Sequence, residues 1–243
     1  MGVEKEEFLP GCSVPELSPC HNALRDQVDD LAERLPEYEW FGIGRDDGKD
    51  AGEFMTVFYR KDRLELLEES TFWLSETPDK PGFGWDAACN RVVTWGKFRD
   101  RASGKEFFLF NTHFDHRGEV ARRESAKMLL TKVADIAGTS PIVVTGDFNS
   151  RLDSEPYRII IGDQTTDSGV KLIDSRTVSR YGHHGPSATF SSFKSAGKPG
   201  DSPIDYIFIR NGVSVIQHGT LSDTFDGRYP SDHMPVLVEI EIE

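Results

Sequence analysis

Cysteine is scarce in this sequence, and long apolar runs are absent. Cys12, Cys20 and Cys89 are unevenly spaced and form no C-x-x-C pair, so we expect neither a disulfide framework nor a zinc site. No segment approaches the roughly 20 apolar residues that a membrane-spanning helix needs. Residues 1–10 are acidic and lack the apolar region of a secretory signal. A cytoplasmic protein without membrane insertion is therefore expected.

Basic residues are also in short supply. The 28 lysines and arginines are outnumbered by 41 acidic residues, which gives a net charge of −13. A broad basic face for duplex DNA is therefore not expected, although a local cluster with a metal ion leaves a nucleic acid or nucleotide substrate open. The 243 residues are 37% hydrophobic and 11% aromatic, so we expect one packed domain over 1–243, and a monomer.

Apolar periodicity predicts many strands and few helices. Helices are predicted at 22–35, 119–137 and 154–161. Strands are predicted at 38–43, 54–59, 64–67, 91–98, 107–112, 141–145, 204–209, 213–218 and 236–240, and most of 162–202 is predicted to be loop. Because strands dominate and many are connected as hairpins, we expect two largely antiparallel sheets packed face to face with helices outside, a layered α/β arrangement.

Four polar motifs lie at or beside the ends of strand-like runs. They are Asn111-Thr112-His113, Gly146-Asp147-Phe148-Asn149, Ile204-Asp205-Tyr206 and Ser231-Asp232-His233. Hydrolysis of a phosphate ester requires charge neutralisation, an activated water and a stabilised leaving oxygen. Carboxylates hold a hard cation such as Mg²⁺, a histidine held by an aspartate takes a proton from water, and asparagine and histidine donate hydrogen bonds to phosphoryl oxygens. Together the motifs indicate metal-dependent hydrolysis of a phosphate ester.

Each motif alone also has a plainer interpretation. Asp147 and Asn149 alternate along an extended chain, so both can face one side of the sheet end. The same two residues also suit an Asx turn after a strand. Asp232 and His233 suit a capping aspartate and a surface histidine, and His113 suits an ordinary histidine. The joint occurrence of all four motifs in this order favours catalysis.

The four motifs resemble those of the endonuclease/exonuclease/phosphatase superfamily, from about residue 22 to the C-terminus. The run Gly44-Arg45-Asp46-Asp47-Gly48, with Gly52-Glu53 and Phe58-Tyr59-Arg60, is similar to a small, mostly bacterial or archaeal branch close to the deadenylase-like members. The resemblance implies a four-layer α/β/β/α sandwich of two mostly antiparallel sheets, the deoxyribonuclease I-like fold.

The resemblance also implies a role for each motif residue. His233 would be the general base for water, and Asp205 would orient it. Asp147 would orient the nucleophile or protonate the leaving group. Asn149 and His113 would bind the scissile phosphate.

Further residues near the motifs are candidates for metal or substrate contact. Asp232 would lie beside an Mg²⁺ or Mn²⁺ ion. Arg91 resembles a phosphate-facing arginine of relatives, although an exposed strand-edge arginine explains it equally well. Other residues that could contact substrate are Arg45, Asp46 and Glu53, which also suit a solvated turn, and His116 and Arg117.

The segment before the first helix departs from the family pattern. Relatives carry a Gln-Glu pair there, and that glutamate is the main metal ligand, whereas Asn22 occupies its position here. The first strand has no counterpart in residues 1–20 and is expected to be missing or replaced. Either the chain is a truncated or mis-spliced product, or it is a divergent member whose metal site is weakened or supplied differently. Because a neutral oxygen binds Mg²⁺ less well than a carboxylate, reduced activity is expected.

The sequence thus predicts a metal-dependent phosphoesterase, with a phosphodiesterase or nuclease as the leading expectation and direct attack of water. Cys89 lacks a matching histidine and aspartate, so no covalent intermediate is expected. One alternative is a catalytically impaired family member. Another is a phosphatase acting on a small phosphorylated metabolite or lipid headgroup, which the acidic composition mildly favours over long duplexes.

Overall fold

A computed structural model describes residues 16–164, 166, 168–194 and 201–243, without the side chains of 21 and 22. The helices are α1 (Arg25–Arg34), α2 (Glu119–Ala137), α3 (Glu155–Ile161) and α4 (Ser175–Val178). The first strands are β1 (Leu17–Ala23), β2 (Tyr38–Phe41), β3 (Phe54–Arg60), β4 (Leu64–Trp73), β5 (Val92–Asp100) and β6 (Glu106–His113). The later strands are β7 (Ile142–Asp147), β8 (Ile173–Asp174), β9 (His183–His184), β10 (Asp205–Arg210), β11 (Val213–Thr220) and β12 (Val236–Ile242).

A six-stranded sheet in the order β4-β5-β6-β7-β10-β8 forms the centre of the fold. Helices α2 and α3 cover one face, where Leu129 and Ile160 pack into the same cluster as Phe110. Two three-stranded sheets, β1-β3-β2 and β12-β11-β9, cover the other face, where Val57 and Val215 join one apolar cluster. Helix α1 covers the outer side of β1-β3-β2. These four layers confirm the predicted α/β/β/α sandwich, with one β-layer divided into two sheets.

The segment Leu17–Ala23 forms a strand, which corrects the expectation that the first strand is missing or replaced. It pairs antiparallel with β3 at the edge of its sheet, with an irregularity between His21 and Ala23. Pro19 breaks any local strand pattern, yet proline is tolerated at a sheet edge because no inner ladder needs its missing N–H. The predicted helix at 22–35 correspondingly begins at Arg25. Residues 1–15 lie outside the described residues.

Two further differences concern the central sheet and the long loop. Strand β4 extends to Trp73, well beyond the predicted end at residue 67, because Glu68 and Glu69 interrupt its apolar run without ending its pairing with β5. Charged residues of this kind are typical of an edge strand, and β4 lies at the edge. Within 162–202, the short elements β8, α4 and β9 replace part of the predicted loop.

Helix α2 has the predicted bounds because its pattern is unambiguous. Leu129, Leu130 and Val133 are fully buried against the central sheet, and Gly138 adopts a φ of 55° just after the last turn. Within the part of the chain that the structure describes, the helices fall short of the length and apolar character that a membrane crossing requires.

Candidate active site

Three neighbouring inner strands carry polar residues at the same end of the central sheet. His113 ends β6 and pairs in register with Asp147 at the end of β7, and Asp147 pairs with Asp205 at the start of β10. All three side chains are buried. Gly146 permits this convergence, because a Cβ atom there would lie 2.0 Å from the carbonyl oxygen of Thr112. The glycine of the Gly-Asp-Phe-Asn motif is therefore required by the close approach of β6 and β7.

His233 lies at the same end of the sheet, on the loop before β12, and its ring contacts Asp205. Its Nδ1 atom lies 2.9 Å and 3.1 Å from the two carboxylate oxygens of Asp205, so the Nδ1 proton is donated to that carboxylate. The opposite ring atom, Nε2, lies 3.9 Å from Oδ2 of Asp147. This geometry is compatible with His233 as a base and Asp205 as its orienting aspartate, and both roles stay predictions.

Negative charge surrounds the imidazole of His233. Burial lowers the pKa of His233, but the hydrogen bond to Asp205 and the charges of Asp205, Asp147 and Asp232 outweigh burial and raise that pKa to about 9. At neutral pH the ring is therefore protonated while these charges are unbalanced. A divalent cation at the carboxylates would offset them and favour the neutral ring that a general base requires.

Asn149 and His113 are joined beside Asp147. The Nδ2 atom of Asn149 lies 3.0 Å from Nε2 of His113 and donates at 3.0 Å to the carbonyl of Phe114, which fixes the orientation of the amide. The Nε2 atom of His113 lies 3.3 Å from Oδ2 of Asp147. The two predicted phosphate-binding residues therefore lie within contact distance of each other.

Asp147 and Asn149 are brought together by a turn and not by strand alternation. Asn149 has a left-handed φ of 46°, a region that asparagine tolerates, and its N–H donates at 2.8 Å to Oδ1 of Asp147. The Asx turn is therefore present in these two residues, and their catalytic interpretation stays a prediction with which this turn is compatible.

These side chains open into one cleft. The residues that line it are Arg45, Glu53, Cys89, Arg91, His113, His116, Asp147, Asn149 and His233. Four of the five predicted catalytic residues are in this set. The fifth, Asp205, does not line the cleft but binds Nδ1 of His233. Of the residues left open, Arg45, Glu53 and His116 line the cleft, whereas Asp46 accepts a hydrogen bond from Asn90 beside it. Arg117 is outside the set of lining residues.

Arg91 is buried, so its interpretation as an exposed strand-edge residue is wrong. Its Nε atom lies 3.4 Å from Oδ2 of Asp115, and its NH2 atom lies 3.0 Å from Nδ1 of His116. The NH1 atom is buried and finds no hydrogen-bond partner among the described residues. Arg91 therefore lines the cleft and has one guanidinium N–H donor that the described residues leave without an acceptor.

Asp115 is a structural residue of the site that sequence reasoning missed. Its carboxylate accepts the N–H groups of Arg117 at 2.9 Å, Gly118 at 2.7 Å and Ala88 at 3.0 Å. Burial would raise the pKa of Asp115, but these hydrogen bonds and the charge of Arg91 lower it to about 2. Asp115 therefore joins the loop before β5 to the loop before α2. The signal in the sequence was the Asx-type spacing of Asp115 and Arg117.

Cys89 has an aspartate and a histidine nearby, contrary to expectation. Ligand atoms of Cys89, Asp115 and His116 lie within 4.8 Å of one another. However, burial raises the pKa of the thiol, and Arg91 occupies the Nδ1 side of His116. The thiol is therefore not activated, and the guanidinium disfavours a cation at this group.

The family profile of endonucleases, exonucleases and phosphatases matches residues 21–233, which include the whole site. The chain belongs to the endonuclease/exonuclease/phosphatase family. A family protein from Bacteroides vulgatus is 40% identical, with a TM-score of 0.86 over 94% of this chain and 85% of that chain. The mannosyl-6-phosphatase of Bacteroides thetaiotaomicron VPI-5482 is 36% identical, with a TM-score of 0.83 over 93% of this chain and 85% of that chain.

A more distant relative agrees with the branch expected from the sequence. Nocturnin of Drosophila melanogaster is 25% identical over 218 residues, which cover 76% of this chain and 32% of Nocturnin. The chain spans between 30% and 48% of the length of the curated relatives that it matches. The family assignment therefore concerns the region that these relatives share with this chain.

Members of this family generally depend on a divalent metal, and the site has a suitable donor set. Ligand atoms of Asp147, Asp205 and His233 lie within 4.8 Å of one another. The raised pKa of His233 reports the excess negative charge that a cation would balance. Carboxylate oxygens are the ligands that Mg²⁺ and Mn²⁺ prefer.

The two predicted metal ligands are not part of that group. The carbonyl of Asp232 accepts the N–H of Ser191 at 2.7 Å, which fixes the loop that carries His233. The side chain of Asn22 lies outside the described residues, although its backbone is in β1, shortly after Cys20. The carbonyl of Cys20 accepts a hydrogen bond from Asn111 at 3.0 Å, so the end of β1 approaches β6 near the site. Both ligand assignments stay predictions.

Proposed function

We propose that this chain hydrolyses a phosphate ester by direct attack of water that His233 activates. The observation that carries the proposal is the orientation of His233, with Nδ1 on both oxygens of Asp205 and Nε2 towards Asp147 at the cleft. An imidazole held in this way has a defined proton-accepting atom.

The residues divide the reaction between them. Nε2 of His233 takes the proton of the attacking water, and Asp205 stabilises the imidazolium that forms. Asp147 orients the water or, in its protonated form, donates a proton to the leaving oxygen. His113 and Asn149, whose Nε2 and Nδ2 atoms lie 3.0 Å apart, bind the scissile phosphate by exchanging this mutual contact for hydrogen bonds to phosphoryl oxygens.

A divalent cation, Mg²⁺ or Mn²⁺, would be held by Asn22 and Asp232, and it would supply charge neutralisation at the phosphate. Asn22 offers a neutral oxygen, so we propose weak metal binding and low activity at limiting metal concentrations. The negative charges of Asp205, Asp147 and Asp232 around His233 already favour a cation.

For the substrate, we propose a small phosphomonoester ahead of the phosphodiester that sequence reasoning favoured. The mannosyl-6-phosphatase is 36% identical over nearly the whole of this chain. The net charge of −13 also opposes binding of a long polyanionic strand. Phosphodiesterase activity remains the second candidate, because the same residues suit attack on either ester.

The two substrate classes are separated by hydrolysis of mannose 6-phosphate and of bis-p-nitrophenyl phosphate under identical conditions, with Mn²⁺ or Mg²⁺. The expected result is a kcat/KM at least about tenfold higher for the monoester, since a matched binding site discriminates by one or more charge-assisted hydrogen bonds. Preferential hydrolysis of the diester would overturn the substrate proposal and leave the assigned base intact.

A further inference from the structure

The cleft has a second wall that the hydrolytic residues do not use. We call it the arginine wall, and it consists of Arg45, Arg91 and His116. All three line the cleft that also contains His113 and His233. Sequence reasoning left Arg45 and His116 open as substrate contacts and expected Arg91 to bind phosphate.

The arginine wall presents hydrogen-bond donors only. A guanidinium cannot accept, so Nδ1 of His116 accepts from NH2 of Arg91 at 3.0 Å. The proton of a neutral His116 is therefore on Nε2, which makes that atom a donor. NH1 of Arg91 and Nε of Arg45 are buried donors without a hydrogen-bond partner among the described residues.

The wall is held rigidly. Arg91 is fixed by Asp115, whose carboxylate is bound by several backbone N–H groups. Arg45 is fixed by the tight connection between β2 and β3, where its carbonyl accepts from Nε1 of Trp73 at 2.8 Å and its NH1 lies 2.6 Å from Oε2 of Glu53. Burial is the main cause that lowers the pKa of Arg91, and the nearby charge of Arg45 adds to it.

Unsatisfied buried donors are costly, at about 1–3 kcal/mol each, so their persistence in a cleft indicates a ligand that accepts hydrogen bonds. A cation does not fit, because the arginine wall offers it donors and no acceptor atom. Glu53 and Asp115 balance the wall's formal charge, so recognition depends on the directed donors. A planar, oxygen-rich anion such as phosphate or carboxylate matches a guanidinium fork.

We propose that the arginine wall binds a second anionic group of the substrate, so that the preferred substrates are small phosphate esters with an additional phosphate or carboxylate. The inference rests on the proposed function, in which His113 and Asn149 hold the scissile phosphate. The wall then selects among phosphate esters without taking part in the attack of water.

The first test is equilibrium binding to the 243-residue protein without added metal, measured by calorimetry with glucose 6-phosphate and glucose 1,6-bisphosphate. The wild-type protein is expected to bind the bisphosphate about tenfold or more tightly, since one charge-assisted hydrogen bond is worth about that factor. Arg45→Gln is expected to reduce this preference to less than about threefold. Arg99→Gln, which removes an exposed arginine paired with Glu65 and Glu106, is the matched control and should keep it.

A second variant, Arg91→Lys, keeps the proposal testable if Arg45→Gln does not fold. Arg91→Lys keeps a charge opposite Asp115 but loses the guanidinium fork, and it is expected to lower the preference as well. Equal affinity of the wild-type protein for both sugars would overturn the proposal. An equal loss of affinity for both sugars in Arg45→Gln would also overturn it, because the wall would then hold the scissile phosphate.

Turnover separates this inference from the proposed function. With Mn²⁺ present, the ratio of the two KM values should change in Arg45→Gln as the binding ratio does. If no substrate releases phosphate while the calorimetric preference is present and depends on Arg45, the proposed function fails and the anion subsite stands.

Discussion

Asp205 affects His233 through two separate physical effects. It fixes the Nδ1 proton by hydrogen bonds of 2.9 Å and 3.1 Å, and its charge favours the imidazolium. We expect Asp205→Asn to lower phosphate release by about a hundredfold or more. General-base catalysis contributes a factor of about this size, and it depends on the orientation of the His233 ring. Steady-state phosphate release measures the loss, with circular dichroism as the control for folding. Activity within about twofold of the wild type would show that Asp205 does not orient the base.

Asn22 is the residue that the resemblance places at the position of the family's metal-binding glutamate. A carboxylate at this position adds a charged oxygen ligand, so Asn22→Glu should tighten Mg²⁺ binding and raise phosphate release at low metal concentration. A Mg²⁺ titration of activity measures the midpoint in both proteins, and Asn22→Gln controls for side-chain length. An unchanged midpoint in Asn22→Glu would remove Asn22 from the metal site.

At the scale of elements, the site depends on how closely β6 and β7 approach each other. A Cβ atom at Gly146 would lie 2.0 Å from the carbonyl oxygen of Thr112, so Gly146→Ala must push these strands apart. We expect a loss of about 3 kcal/mol in the free energy of unfolding, the upper range for overpacking. Gly104→Ala is the control, since Gly104 also has a positive φ but nothing within 4 Å. Equal losses measured by urea unfolding would refute a steric role for Gly146.

Strands β9 and β11 are joined by a pair of histidines, of which His218 is buried and His183 is half-buried. His183 and His218 pair in register, with their Nδ1 atoms 2.9 Å apart. Burial, and then the charge of His183, lowers the pKa of His218 to about 4. Because an unfolded histidine titrates near 6.5, this group stabilises the fold above pH 6.5, and its contribution is lost as the pH falls towards 4.

The loss of the stabilising contribution of His218 predicts that the protein is less stable in acid. A shift of this size corresponds to roughly 3 kcal/mol in the free energy of unfolding between pH 6.5 and 4. His218→Gln keeps a polar group opposite His183 but does not titrate, so its unfolding free energy should fall less over this range. Urea unfolding at both pH values measures the difference, with the exposed neighbour His184→Gln as the control. Parallel pH curves for His218→Gln and the wild type would contradict the assignment.

For the whole molecule, periodicity predicted two packed sheets with helices outside, and the resemblance of the four motifs to the family implied the four-layer order. The position of the motifs at strand ends indicated that His113, Asp147, Asp205 and His233 meet. Strand β1 was missed because its pairing with β3 is non-local and its own residues, Pro19 among them, carry no alternation. The hydrogen bonds of Asp115 were missed for a related reason, since they join loops far apart in sequence. Local sequence patterns predict helices and strands. Contacts between loops that are far apart in sequence depend on the folded sheet, so local patterns do not predict them.

The most direct test of the whole account is phosphate release from mannose 6-phosphate with Mn²⁺, by the wild-type protein and by His233→Ala. We expect metal-dependent release by the wild type and a loss of at least about a hundredfold in the variant, because the variant has no group to accept the water proton. Equal release by both folded proteins would contradict the central claim that His233 is the base of this site.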